Sequence, residues 1–208
     1  MIIIDNILHV EKFINSVSAV VFDLDDTLYP EKDYVKSGFK AISELFPEFH
    51  SMFTDLWQSF LKGEKAIDTV FKRYGISQFK EKAVLKYRSH FPNINPYPGV
   101  TEMLAKIKET KKTGIITDGR PEGQHAKIKA LGLEPFFDSI IITDECGGIK
   151  FRKPNPTAYK ITAKALSADF NEMCYIGDNI LKDFTAPGLL GMKSIFFRNS
   201  DGLYYRTL

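Results

Sequence analysis

Apolar and polar positions fall into two textures along this chain. From about residue 99 onward, short apolar runs alternate with stretches of helical spacing. TGIITD (113–118) is β-branched, and PEGQHAKIKAL after it has helical spacing and a glycine at its end. SIIITDE (139–145) repeats the strand texture, and NPTAYKITAKAL is again helical, with Pro156 in its first turn. EMCYIGD and MKSIFF supply two more strands around LKDFTAPGLL, and AVVFDL (19–24) makes a fifth. Such near-continuous apolar strands predict an α/β fold, a parallel sheet covered by helices on both faces. In sheets of that kind ligands bind beyond the carboxyl ends of the strands, where Asp23, Asp118, Asp144 and Asp178 all fall.

Residues 31–94 carry the other texture. Val35, Phe39, Ile42 and Phe46 follow a helical stripe, and Phe49, Phe53, Leu56 and Phe60 repeat it. Ile67, Val70, Phe71 and Tyr74 form a third stripe, and Phe79, Ala83, Val84 and Tyr87 a fourth. Pro47, Gly63 and Gly75 mark the breaks, and FPNINPYPG (91–99) reads as the return linker. The pattern predicts a four-helix domain over 31–94, inserted into a Rossmann-like core made of 1–30 and 95–208. The aromatics of the insert are read as packed core. Lys32, Tyr34, Arg73, Arg88 and His90 are candidates to face a cleft, with exposed helix surface the default place for each. The first 17 residues read as a lead-in, helical from Leu8 to Ile14.

At 208 residues the chain is long enough for one well-buried domain with a smaller insertion. A formal charge of +2 and the lack of a dense Lys/Arg block give no reason to expect nucleic acid or an anionic membrane as partner. Cys146 and Cys174 are too few and too separated for a disulfide framework or a zinc site, and Cys174 reads as a buried thiol. MIIIDNIL is apolar, but Asp5 interrupts it and no basic segment precedes it, so it is not read as a signal peptide. No run elsewhere is long enough to span a bilayer, and a reducing cytoplasm is the expected location.

The chemistry gathers in VVFDLDDTLYP (20–30), which places three carboxylates in four positions after an apolar run. Alternation along a strand puts Asp23 and Asp25 on one face, roughly 6–7 Å apart. Two ionised carboxylates at that distance destabilise each other unless a cation lies between them or one keeps a proton. Mg²⁺ meets the need, because it takes oxygen ligands and commonly bridges carboxylates to phosphate. A solvated turn in which Asp26 and Thr27 cap the backbone is the competing reading. In IGDNILKDF, Asp178 closes a strand and Asp183 lies five residues on, where an Asp also serves as a helix cap. In IITDG, Thr117 offers a hydroxyl, and the N–H groups before Gly119 can form a nest for phosphate oxygens, though a plain strand-to-glycine turn has the same sequence. In FRKPNP, Lys153 precedes Pro154 just before a helix, with Lys150 and Arg152 as substitutes, and a solvated loop lysine is the simpler reading.

The order DLDDT, TDG, KP, GDNILKD, with YPG before the second core helix and a helical insert after the first strand, resembles the haloacid dehalogenase superfamily over nearly the whole chain. The resemblance implies a five-stranded sheet of order 5-4-1-2-3, a helical cap, and residue roles. Asp23 would be the nucleophile, forming an aspartyl phosphate that splits one difficult displacement into two easier ones. Asp25 would be the general acid and then the base. Thr117 and the Asp118 N–H would hold the phosphoryl oxygens, and Lys153 would neutralise them and the nucleophile. Mg²⁺ would bind Asp23, the Asp25 backbone carbonyl and Asp178, with Asp183 behind it orienting Lys153 or a metal-bound water, and Thr27 positioning Asp25. Arg120, just past the phosphate loop, is a candidate substrate contact.

The dehalogenating members of that superfamily lack the acid two positions after the nucleophile, and Asp25 is present here. The expected activity is therefore Mg²⁺-dependent hydrolysis of a small phosphorylated metabolite, such as a sugar phosphate or a nucleotide, with the insert as a lid. A phosphomutase or a dehalogenase of the same superfamily is the near alternative. From a different class come a phosphoacceptor domain of receiver type and a binding protein without turnover.

Overall fold

A computed structural model describes residues 1–203 and Tyr205. Among them six strands form one parallel sheet: β1 (Ile2–Ile4), β2 (Ala19–Phe22), β3 (Lys112–Thr117), β4 (Ser139–Ile142), β5 (Met173–Gly177) and β6 (Lys193–Phe197). Their spatial order is β1-β6-β5-β2-β3-β4. The expected five-stranded sheet of order 5-4-1-2-3 is thereby corrected, because Ile2–Ile4 adds an edge strand beside β6. Three isoleucines carry no readable period, and their partner lies some two hundred positions away in the chain. The stretch expected as a helix from Leu8 to Ile14 is a 3-10 turn over Ile7–Lys12, opened by the Asn6 side chain accepting the Leu8 N–H at 2.9 Å. The strand texture of SIIITDE also stops early, and Thr143–Cys146 turn into a 3-10 segment.

The chain divides into two compact units, Met1–Glu31 with Asn95–Leu208, and Lys32–Ile94. In the first, β2 lies between β3 and β5, with Phe22 opposite both Ile115 and Ile176. All four β2 side chains are fully buried, as a strand covered on both faces requires. Ala19 and Val21 join Met173, Tyr175 and Ile116 against helix Thr157–Leu166, which contributes Ala158, Tyr159, Ala163 and Leu166. Val20 and Phe22 alternate to the other face, where Phe22 meets Phe137 edge-on at 6.2 Å. Helices Val100–Lys108, Pro121–Ala130 and Thr185–Leu190 complete the flanking layers. Cys174 is buried within β5, as expected, and neither cysteine is in a disulfide. No helix among the described residues is long and apolar enough to cross a membrane.

The second unit is built from α1 (Glu31–Ser43), α2 (Met52–Leu61), α3 (Ala66–Arg73) and α4 (Lys80–Ser89), of which Glu31 alone falls in the first unit. Val35, Phe39, Ile42, Phe46, Leu56, Val70, Phe71 and Ala83 form its core. In α2 Met52 and Leu56 are fully buried, whereas Phe53 and Phe60 pack at the border of the core. Gly38 lets α1 approach α4, since a Cβ there would lie 2.4 Å from the Tyr87 ring. Tyr34 and His90, assigned by default to helix surface, are instead buried: the two rings lie 5.1 Å apart, and His90 Nδ1 is 2.6 Å from the Tyr87 carbonyl oxygen.

Candidate active site

The site forms because β2, β3 and β5 end side by side. The Asp23 N–H donates to the Ile176 carbonyl at 2.8 Å, which continues the ladder by one residue and sets Asp23 against the end of β5. The next turn is held by Asp26, in the left-handed region at φ +53°, which aspartate tolerates better than most residues. Its carboxylate accepts the N–H groups of Glu31 (2.9 Å) and Leu203 (2.7 Å), and its carbonyl accepts Asn199 Nδ2 (2.8 Å). The third carboxylate of VVFDLDD is thus a scaffold for the other two.

Asp23, Asp178 and Asp183 bring carboxylate oxygens within 4.8 Å of one another. Lys153 joins them from below. Its Nζ is fully buried, 2.7 Å from Asp23 Oδ1 and 2.8 Å from Asp183 Oδ1, and donates to the Tyr175 hydroxyl at 3.0 Å. Asp183 also accepts the Asn179 N–H at 2.9 Å. Gly177 allows this approach, because a Cβ there would lie 2.5 Å from Asp183 Oδ2. Thr27, expected beside Asp25, donates instead to Asp178 Oδ1 at 3.3 Å.

Asp25 is compensated separately. Lys127 Nζ donates to Asp25 Oδ1 at 2.7 Å, Gln124 Nε2 to Oδ2 at 2.9 Å, and the Tyr29 hydroxyl to Oδ1. Gln124 also donates to Thr117 Oγ1, tying the acid to the end of β3. Asp118, expected to contribute its N–H, has its side chain engaged: Oδ1 accepts the Thr143 hydroxyl (2.8 Å) and the Lys153 N–H (3.0 Å). Arg120 is exposed at the start of Pro121–Ala130. Arg152 forms a two-pronged pair with Asp144, both contacts at 2.7 Å, and Lys150 lies over the Phe151 ring, so neither takes the place of Lys153.

The electrostatics follow from burial. Burial pushes the Asp178 carboxyl up to about 9, helped by Asp23 and Asp183. Burial raises Asp23 to about 6, while Lys153 pulls the other way. For Asp25, burial is outweighed by Lys127 and by the Tyr29 and Gln124 donors, which hold it below the usual carboxylate range. Glu31 is pushed up to about 8 by burial and then by Asp25, and its Oε2 is buried with no hydrogen-bond partner. Three converging carboxylates share one buried lysine, and burial raises two of them, Asp23 and Asp178, above the ordinary carboxylate range. An all-oxygen donor set in that condition fits a hard divalent cation.

Tyr29, Glu31, Gln124, Lys127 and Lys182 were not singled out by the sequence pattern. Gln124 and Lys127 do have a signal, the i, i+3 spacing that sets both on one helix face. Nothing in the sequence says that this polar face is the buried one.

The profile of the family described as haloacid dehalogenase-like hydrolase matches residues 20–197. The glyceraldehyde 3-phosphate phosphatase of Methanopyrus kandleri is 28% identical over 199 residues, covering 88% of this chain and 84% of that protein. The (S)-2-haloacid dehalogenase 4A of Burkholderia cepacia is 25% identical over 202 residues, covering 88% and 83%. Among solved structures, the HAD-hydrolase YfnB from Bacillus subtilis bound to magnesium superposes with a TM-score of 0.62 at 17% identity, over 88% of each chain.

Proposed function

The chain belongs to the haloacid dehalogenase-like hydrolase family, and on that premise we propose that it is a Mg²⁺-dependent phosphomonoesterase acting on a small phosphorylated metabolite in the cytoplasm. The observation that carries the reading is the convergence of Asp23, Asp178 and Asp183 on Lys153 beside a separately held Asp25. The relative from Methanopyrus makes glyceraldehyde 3-phosphate the first ester to test.

Asp23 attacks phosphorus, the bond from phosphorus to the ester oxygen breaks, and Asp25, protonated in the reactive state against the pull of Lys127, Tyr29 and Gln124, gives its proton to the leaving oxygen. Water then attacks the aspartyl phosphate, Asp25 takes its proton, and phosphate leaves with Asp23 restored. Lys153 keeps Asp23 anionic against the cost of burial and aims its carboxylate outward. Thr117 and the Asp118 N–H hold phosphoryl oxygens at the end of β3. Asp23, Asp178 and the Asp25 carbonyl would hold Mg²⁺, which when bound draws negative charge off the phosphoryl oxygens. Asp25 also separates this reading from halide displacement, since a departing halide needs no proton. The helical unit, inserted directly after this loop, is proposed as the cap that selects the leaving alcohol.

A panel of phosphorylated metabolites, assayed for phosphate release with and without Mg²⁺, tests the proposal. Turnover that needs Mg²⁺ and is lost in Asp23→Asn supports it. No turnover of any ester with Mg²⁺, or full activity in Asp23→Asn, rejects it.

A further inference from the structure

The strand order places β2 between β5 and β3, so the loops that leave those two strands flank the end of β2 on either side. Lys182 belongs to the loop after β5 and Asp118 to the loop after β3, and Lys182 Nζ lies 3.5 Å from Asp118 Oδ2. A contact between the two outer loops has to pass over the middle strand's end, where Asp23 sits. The electrostatics agree: Lys182 pulls the Asp23 carboxyl down, and, although burial and Lys153 oppose it, Asp23, Asp183 and Asp118 hold Lys182 above its ordinary range.

The two lysines around the nucleophile differ in kind. Lys153 has no exposed side-chain surface and is engaged by Asp23 and Asp183, so Asp183 cancels much of its charge. Lys182 is 28% exposed and makes a longer contact to an aspartate whose other oxygen is already satisfied twice. A phosphoryl dianion approaching an anionic Asp23 therefore meets little net positive charge from Lys153 and passes close to Lys182.

We propose that Lys182 is a second cation of the phosphoryl site, its Nζ exchanging Asp118 Oδ2 for an oxygen of the bound phosphoryl group. This rests on the phosphatase reading and adds to it a residue that contacts the reacting group. Inorganic phosphate and orthovanadate carry that group without a leaving alcohol, so their competitive inhibition reports on the phosphoryl contact alone. In Lys182→Met the inhibition constants of both are expected to rise about 10-fold, and kcat/KM to fall about 10²-fold, the scale of losing one preorganised donor. Lys182→Arg is expected to keep inhibition within about 5-fold of wild type by retaining the charge. Should Lys182→Met not fold, Lys182→Gln gives the same comparison.

Unchanged phosphate and vanadate inhibition in Lys182→Met or Lys182→Gln overturns the proposal. That holds equally if the melting temperature falls, since a purely structural Lys182–Asp118 tie predicts lost stability without lost oxyanion affinity. A wild-type enzyme that hydrolyses no ester sinks the phosphatase reading itself. An active wild type, a dead Asp23→Asn and an unaltered Lys182→Met sink only the inference about Lys182.

Discussion

Replacing Lys153 by methionine removes a cation that lies within ion-pair distance of both Asp23 and Asp183, and leaves a side chain of similar length in a fully buried position. Two carboxylates then lose their shared ion pair beside Asp178. Breaking a buried pair in this way costs about 3–5 kcal/mol. A second route to the same scale is protonation: neutralising one carboxyl about three pH units above its ordinary pKa of ~3.9 costs about 4 kcal/mol at neutral pH. For a chain of 208 residues, at about 2–4 °C per kcal/mol, the melting temperature of Lys153→Met should fall by about 6–20 °C. The assay is thermal unfolding followed by circular dichroism, in chelator so that no metal compensates. Protonation becomes cheaper in acid, about 1.5 kcal/mol per carboxyl near pH 5, so the deficit should shrink there. The double variant Lys153→Met/Asp183→Asn should recover part of it by removing one of the orphaned charges. A drop below about 2 °C at neutral pH, or a double variant less stable than the single, would refute the charge accounting.

Asp23, Glu31 and Asp178 all have carboxyls raised above their unfolded values, to about 6, 8 and 9. A raised acid contributes stability that is present below the unfolded pKa and lost as pH climbs through the folded one, so the metal-free protein should lose stability from about pH 5 to about pH 9. Asp25, Asp138 and Asp144, whose carboxyls are lowered, act below that window. Mg²⁺ should raise the melting temperature increasingly across the same range, and a metal-free profile that is flat or rising contradicts the raised carboxyls. Gly177→Ala should cost about 1–3 kcal/mol, because its Cβ would meet Asp183 Oδ2 at 2.5 Å and Asp183 is pinned by Lys153 and the Asn179 N–H. Urea unfolding measures this, and a variant as stable as wild type speaks against the tight packing. Asp26→Ala should cost about 2–4 kcal/mol, losing acceptors for Glu31 and Leu203 and forcing alanine to φ +53°. Asp26→Gly should be the milder of the two by about 1 kcal/mol, and the reverse order contradicts the strain.

The sheet was legible because its strands are buried on both faces and so read as apolar runs ending in Asp23, Asp178 and the Thr117–Asp118 pair. The helical unit was legible because four apolar stripes are separated by Pro47, Gly63 and Gly75. What stayed hidden were features without a local pattern. β1 is a three-residue strand defined only by its distant partner β6. Tyr34 and His90 look like surface residues until ring packing buries them together. In the site, spacing within VVFDLDD drew attention to Asp23 and Asp25 as a pair. The family resemblance already implied Asp178 and Asp183 beside Asp23, whereas neither spacing nor resemblance carried Lys127, which a different helix brings to Asp25. Whether a helix turns a lysine or a glutamine inward depends on which charge waits there, and that is settled by topology.

The central claim is that Asp23 becomes covalently phosphorylated during turnover. Borohydride reduces an acyl phosphate and leaves homoserine in place of the aspartate, so the enzyme can be quenched during ester hydrolysis, reduced and mapped by peptide mass spectrometry. Homoserine at position 23, dependent on substrate and absent when borohydride is omitted, is the predicted result. Homoserine at another aspartate, or steady ester hydrolysis by the Asp23→Asn variant in the same experiment, would contradict it.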